Sequence, residues 1–103
     1  MNKKTDKYSI SLDEFMIKQL QDEELARDYL NDSLIAYIED GNFTIFYKSL
    51  ERVVKARKSV RKFAKEAELD RANLCAILKG KRKPQLHTVL KILTKLGYTL
   101  KVA

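Results

Sequence analysis

The segment that most constrains the fold of this chain runs from residue 59 to residue 80 and reads SVRKFAKEAELDRANLCAILKG. Its spacing predicts two short helices, at about 60–67 and 71–78, joined by a tight turn. Ala64 supplies the small side chain that two crossing helices need where they approach, and Asp70 is placed to cap the second helix. The second helix has one apolar face, formed at i, i+3 and i+4 spacing by Leu74, Ile77 and Leu78. A mainly helical fold is therefore expected.

The opposite face of the second helix carries small and polar residues: Arg71, Ala72, Asn73 and Ala76. A helix of this kind amid many cations is typical of one that enters a DNA groove. We predict that Arg71 bonds guanine, that Asn73 bonds adenine, and that Ala72 or Ala76 packs against a thymine methyl. The residues predicted to contact phosphates are Lys62, Lys79, Lys81, Arg82 and Lys83. The alternative is an ordinary exposed helix face.

Charge divides the chain into two unlike halves. Residues 1–51 hold six Lys or Arg and eleven Asp or Glu, a net charge of −5, whereas residues 52–103 hold fifteen and three, a net charge of +12. The basic half suits a phosphate backbone. The acidic half is one on which a basic protein could dock, although an unevenly charged solvated surface is the simpler interpretation.

Further helices are predicted before and after this pair. The capping box of Ser11 and Glu14 predicts a helix from near Leu12 to Leu20. Asp22 is the expected cap of a second helix that ends at Asp40-Gly41, and Asn42 that of a third, which ends near Arg57. A last helix is predicted over 86–96, stopped by Gly97.

Alternating apolar residues predict a short strand at each end of the chain, over 8–12 and 98–102. An isolated strand is unstable in water, so these strands are expected to pair with each other or across a dimer. Residues 1–41 are predicted to form a helical extension, and 42–103 the DNA-binding part with its C-terminal strand, within one compact unit.

Other features limit the function classes. Cys75 is the only cysteine, which excludes an intrachain disulfide, makes a cysteine-based zinc site implausible and fits a reducing cytoplasm. The N-terminus lacks a secretory signal, and no run approaches about 18 apolar residues, so no membrane association is expected. Paired carboxylates at metal spacing, a Gly-rich phosphate loop and a nucleophile elbow are all missing, so we predict no enzyme, metal or cofactor.

Three kinds of side chain have a bland interpretation that we prefer. Cys75 is expected to be a half-buried packing residue on the second helix of the pair rather than a redox switch. His87 is expected on the surface or at a phosphate, since it lacks partners for metal binding or catalysis. The aromatic residues on helical stripes are expected in the core rather than as a stacking platform: Tyr29, Tyr37, Phe43, Phe46 and Tyr47.

Two longer segments carry a family resemblance. The sequence SVRKFAKEAELDRANLCAILKGKRKPQLHTVLKILTKLG resembles a Cro/C1-type (XRE) helix-turn-helix domain. The preceding LQDEELARDYLNDSLIAYIEDGNFTIFYKSLERVVKARKS resembles the HigA-like "probable addiction module antidote" antitoxins. The shared features are acidic-ELA-x-x-YL, a D-G-[DN] turn, an aliphatic-aromatic helix ending in A-R, and a closing L-G-x-x-L-x-V. The resemblance implies an XRE-type, lambda-repressor-like helical bundle with an N-terminal helical extension and short terminal strands.

The resemblance also implies a function. Such antitoxins bind and silence a small basic RelE/HigB-like toxin, and they repress their own operon by binding double-stranded operator DNA as homodimers. A plain XRE-family repressor of phage type, without a toxin, is the alternative. Two departures stand out: Glu68 occupies a turn position that is often Gly, which requires a strained backbone or a different turn, and the loop GKRKPQ carries extra cations.

Overall fold

Helices account for the regular structure in the computed structural model, which describes residues 11–41 and 43–98. Six lie in these ranges: α1 Leu12–Gln19, α2 Glu23–Asp40, α3 Phe43–Arg57, α4 Val60–Glu66, α5 Arg71–Leu78 and α6 Leu86–Lys95. No strand occurs in the same ranges. The prediction of a mainly helical chain is therefore confirmed.

Four helices begin at a side chain that caps their first turn. Ser11 Oγ accepts from the Glu14 amide at 3.1 Å, and Asp22 Oδ1 accepts from the Glu24 and Leu25 amides at 3.0 and 3.2 Å. Asp70 Oδ2 accepts from the Asn73 amide at 2.8 Å. These three caps were predicted. The fourth, in which Ser59 Oγ accepts from the Lys62 amide at 3.2 Å, begins α4. Each cap satisfies an amide that has no partner inside its helix.

The expected glycine stops are present. Gly41 follows α2 with φ of 69°, and its amide donates to the Tyr37 carbonyl at 2.7 Å. Gly80 follows α5 with φ of 74°, and the next amide, of Lys81, returns to the Ala76 carbonyl at 2.9 Å. Residues with a Cβ adopt this left-handed backbone conformation only at a cost in free energy. Glycine adopts it readily and therefore suits the end of both helices.

The core forms around α3, which packs against α1, α2, α4 and α5. Its fully buried residues include Leu50, Val53 and Val54, each 0% exposed. One continuous cluster joins them to residues of both charge halves, among them Leu20, Ala26, Leu30, Phe63, Leu74, Leu78, Ile92 and Leu93. The acidic and basic halves therefore share one hydrophobic core.

Helix α1 has a polar attachment to α3 in addition to the buried Leu20 at its end. No residue inside the helix is buried, although Leu20, which ends it, is 1% exposed. Arg52 of α3 donates through Nε to Asp13 Oδ1 at 2.8 Å and through Nη1 to the Tyr29 hydroxyl at 3.0 Å. The guanidinium thus joins α1, α2 and α3. Its hydrogen bond holds the pKa of Asp13 below the ordinary value.

Several predictions concern chain ends and one cap. Residues 8–10, the predicted cap Asn42, and residues 99–103 lie outside the described residues. Of the predicted N-terminal strand, only its last residue, Leu12, is described with regular structure, and it is the first residue of α1. Tyr98, where the second strand was predicted to begin, has no regular secondary structure. Its hydroxyl accepts from Arg57 Nη2 at 2.9 Å.

The aromatic side chains predicted for the core lie in it or pack against it, and several of them also contact one another. Phe46 and Tyr47 are buried. The ring of Tyr37 meets that of Phe43 edge-on at a centroid distance of 4.4 Å, and Phe43 lies 4.1 Å from Tyr47. This arrangement fixes the junction of α2 and α3, since the rings fill the angle between the two helices.

Candidate nucleic-acid interface

The helix pair α4–α5 is held together from inside. Phe63 and Ala64 of α4 are each 1% exposed, as is Leu74 of α5. The Leu69 amide, in the turn between the helices, donates to the Ala64 carbonyl at 2.8 Å. The small side chain predicted at Ala64 therefore lies at the buried contact, and Leu69 packs against the core.

The turn between α4 and α5 contains a strained residue. Glu68 has φ of 56° and is the one non-glycine with positive φ in the described part of the chain. Lys91 of α6 donates through Nζ to the Glu68 carbonyl at 3.2 Å. Of the two alternatives that the sequence allowed, the strained backbone is the one present, and α6 contacts it directly.

The outer face of α5 carries the residues predicted to meet bases. Arg71 and Ala72 are exposed, while Asn73 and Ala76 are half-buried. Cys75, also half-buried, lies beside them, in agreement with its predicted packing role. The residues named from the sequence thus lie together at the start and middle of one helix face. This is the part of a recognition helix that approaches base edges.

A contact that was not predicted joins Asn73 to the loop after α5. Arg82 donates through Nη1 to Asn73 Oδ1 at 2.6 Å. The sequence indicated Arg82 only as a phosphate contact, because the two residues are nine positions apart and no periodicity relates them. The positive φ of Gly80 reverses the chain, and only this reversal carries the loop back to the start of α5.

The cations of the described residues differ in whether a carboxylate pairs with them. Those of α3 and its end are paired: Arg52 with Asp13 at 2.8 Å, Lys48 with Glu51 at 3.2 Å, and Lys58 with Glu66 at 2.6 Å. The Lys58 ammonium holds the pKa of Glu66 below its usual value. Within residues 11–41 and 43–98, no carboxylate pairs with the predicted DNA-contacting cations Lys62, Arg71, Lys79, Lys81, Arg82 and Lys83.

These predicted DNA-contacting cations lie on α4, on α5 and in the loop after α5. Lys62 lies in the first turn of α4, Lys79 directly follows α5, and Lys81 and Lys83 flank Arg82 in the loop; all are exposed. Exposed His87 and the loop line a shallow groove beside Asn73 and Ile77. A positive surface with unneutralised charges and a groove suits a polyanion.

A second surface lies on α2 and has the opposite character. The helix carries six acidic residues and one basic residue, Arg27. Its solvent face follows helical spacing and includes Asp28, Asp32, Ile35, Ile38 and Glu39. The side chains of Ile35 and Ile38 are 44% and 73% exposed. Carboxylates around exposed aliphatic groups favour a partner that is both cationic and apolar.

Metal-binding clusters and membrane-spanning helices are both absent from the described residues. No group of three or more His, Cys, Asp and Glu side chains there is arranged to hold a metal ion. None of the helices in the described ranges combines the length and apolarity needed to cross a membrane.

Comparison with known proteins gives one match. A family model described as "Probable addiction module antidote protein" matches residues 11–103 and so spans both the acidic and the basic half. No curated protein and no solved structure matches the chain.

Proposed function

Because this chain belongs to the family of probable addiction module antidote proteins, we propose that it is the antitoxin of a type II toxin–antitoxin module. In this proposal it binds and neutralises a small basic RelE/HigB-like toxin, and it represses its own operon by binding operator DNA. The observation that carries the proposal is the family match over residues 11–103, since it includes the acidic helix α2 as well as the basic pair α4–α5.

The toxin is proposed to dock on the solvent face of α2. Ile35 and Ile38 offer exposed apolar area, and Asp28, Asp32 and Glu39 surround them with negative charge. A small basic protein would meet opposite charge at the rim and apolar area at the centre, the usual anatomy of a specific interface. The −5 net charge of the first half supports this choice over the basic half.

Operator binding is proposed for α4 and α5, taken as a Cro/C1-type helix-turn-helix. The supports are the buried contact at Ala64, the exposed Arg71 and Ala72, and the unneutralised cations of the following loop. A homodimer reading two half-sites is part of this proposal, because such domains bind sites whose symmetry mirrors their own. The catalytic role falls to the toxin, and the antitoxin is proposed to have none.

Co-expression with a small basic RelE/HigB-like toxin tests the toxin-binding part. The wild-type antitoxin should co-purify with that protein and restore growth. The double variant Ile35→Glu, Ile38→Glu should bind it at least tenfold more weakly, because the added carboxylates remove the apolar centre. Leu86→Glu, at a side chain 71% exposed on α6, is the matched control and should bind normally.

Binding to the DNA upstream of its own gene tests the repressor part. Anisotropy titrations should show an affinity that falls steeply with salt, since each neutralised phosphate releases a counterion. The mass of the complex should be that of a dimer on one duplex. Operator binding without any toxin partner would favour the plain XRE-type repressor, which remains the second candidate because of the helix pair. A monomer on DNA would contradict the dimer.

A further inference from the structure

We propose that Arg82 is a specificity-determining residue. It fixes the orientation of the Asn73 side-chain amide, so that the two side chains together select guanine at one operator position. This inference rests on the proposed DNA binding and deepens it. It replaces two predictions made from sequence, that Asn73 bonds adenine and that Arg82 contacts only phosphate.

The orientation of the Asn73 amide follows from the chemistry of its partner. A guanidinium has five N–H donors and no acceptor, so the side-chain atom it meets must be the amide oxygen. The 2.6 Å distance from Arg82 Nη1 to Asn73 Oδ1 is that of a strong hydrogen bond. The Nδ2 NH₂ group of the Asn73 side-chain amide is therefore the group left to meet a base.

The contact rests on fixed backbone on both sides. The Asp70 carboxylate accepts from the backbone N–H of Asn73 at 2.8 Å, which sets the first turn of α5. Gly80, with φ of 74°, and the hydrogen bond from the Lys81 amide to the Ala76 carbonyl set the path of the loop toward Arg82. No carboxylate of the described residues pairs with Arg82, so no acid competes with Asn73 for it.

Arg82 occupies one of the two lone pairs of Asn73 Oδ1, so the joined side chains present mainly donors. The NH₂ group of the Asn73 side chain and the remaining N–H groups of Arg82 require acceptors. In the major groove guanine offers two acceptors, O6 and N7, and no donor. Adenine offers N7 and a donating N6 amino group, which would meet the N–H donors of Arg82 and find only the second lone pair of Asn73 Oδ1. The pair therefore favours guanine, whereas an unattached Asn is suited to adenine.

The test is a binding-site selection on randomised duplexes with the wild-type chain, Asn73→Ala, Arg82→Ala and the double variant. Asn73→Ala identifies the operator position concerned. The wild type should select guanine there by about tenfold or more over adenine. Arg82→Ala should shift the preference at the same position toward adenine, because it frees the Asn73 side chain. The double variant should show no preference there, like Asn73→Ala.

Lys83→Ala is the matched control, because Lys83 is exposed in the same loop and pairs with no acid of the described residues. It should weaken binding to all sequences about equally and leave every base preference unchanged. Both loop residues are exposed, so the variants should fold, and a thermal melt of each checks this.

The outcomes separate the two proposals. If Arg82→Ala keeps the wild-type guanine preference, or if the wild type selects adenine at the Asn73 position, the inference is wrong while operator binding stands. A loss of preference in Lys83→Ala equal to that in Arg82→Ala also contradicts it. Failure of the wild type to bind any DNA would overturn the proposed function itself.

Discussion

Glu68 holds a backbone conformation that residues with a Cβ adopt at a cost. Its φ of 56° lies in the left-handed region, where a non-glycine residue costs roughly 1–2 kcal/mol. Glycine removes that strain but adds about 0.5–1 kcal/mol of unfolded-chain entropy. The turn is retained because its carbonyl accepts from Lys91 and the helices on either side are packed.

Glu68→Gly should therefore raise the free energy of unfolding by up to about 1 kcal/mol. Urea unfolding measures the change. Lys65→Gly, at an exposed helical position of α4, is the control and should lower stability by about 1 kcal/mol. A loss of stability in Glu68→Gly similar to that control would show that the turn is not strained.

Tyr47 buries a hydroxyl that has no hydrogen-bond partner in the described part of the chain. Burial raises the pKa of this phenol. An unsatisfied buried hydroxyl costs about 1–3 kcal/mol, so Tyr47→Phe should leave stability unchanged or raise it. Tyr29→Phe is the comparison, since that hydroxyl accepts from Arg52 and its loss should cost about 0.5–1.5 kcal/mol. Equal losses in both variants would mean that the Tyr47 hydroxyl is bonded after all.

Residues whose role depends on near neighbours were predictable from sequence. Ser11, Asp22 and Asp70 were recognised as caps because a capping side chain bonds amides two or three positions away. The bond between Asn73 and Arg82 was not, because it depends on the path of the loop after Gly80. The most specific part of the candidate site thus required the structure.

At the scale of the elements, α1 has a polar attachment to α3. The Arg52 guanidinium holds the pKa of Asp13 below its unfolded value. This contribution to stability is fully present above the unfolded pKa, about 3.9, and is lost as the pH falls through the lower folded pKa. Asp13 is 37% exposed, so solvent screens the pair and the contribution is about 0.5–1 kcal/mol.

Asp13→Asn should accordingly lower stability at pH 7 by about that amount, and the difference from wild type should shrink as the pH falls below 4. Unfolding in urea at a series of pH values measures it. Glu14→Gln, in the same helix and paired with no cation of the described residues, should show no such pH-dependent difference. A difference for Asp13→Asn that persists undiminished at pH 3 would contradict the assignment.

The helix bounds agree closely with those predicted, because caps and glycine stops mark them in the sequence. Helix α5 has the predicted bounds, Arg71–Leu78, and α6 ends one residue before the predicted end. The terminal strands stay a prediction. Periodicity gives a strand pattern but no partner, and the pairing of a strand depends on residues far along the chain or on another chain.

At the scale of the whole molecule, the decisive feature is the core shared by the two halves. Leu20 precedes the charge boundary and Leu50 lies in α3, yet both are in one cluster with residues of α4 to α6. We expect a single cooperative unfolding transition, with helix content and tyrosine fluorescence lost together. Leu20→Ala and Leu50→Ala should each lower stability by about 2–5 kcal/mol without splitting the transition. Two separate transitions in either variant would contradict a common core.

The composition of the core was predictable from helical periodicity, and one compact unit was expected, but the central place of α3 in that core was not predicted. Charge divides the sequence near residue 51, and a division of this kind could equally mark two independent units. Buried residues of both halves belong to one cluster, so the charge division concerns only the surface. One folded unit therefore carries two oppositely charged surfaces, and the helices that form both surfaces pack against α3.

The common core has a consequence for the lifetime of the chain in a cell. A protease that engages an opened α2 would also expose the apolar sides of α4 and α5, since the cluster has no internal boundary. Under the proposed function, toxin binding and operator binding would then be lost at the same time. Transcription would resume at the moment when new antitoxin is needed, so the decay of the molecule would itself start its replacement.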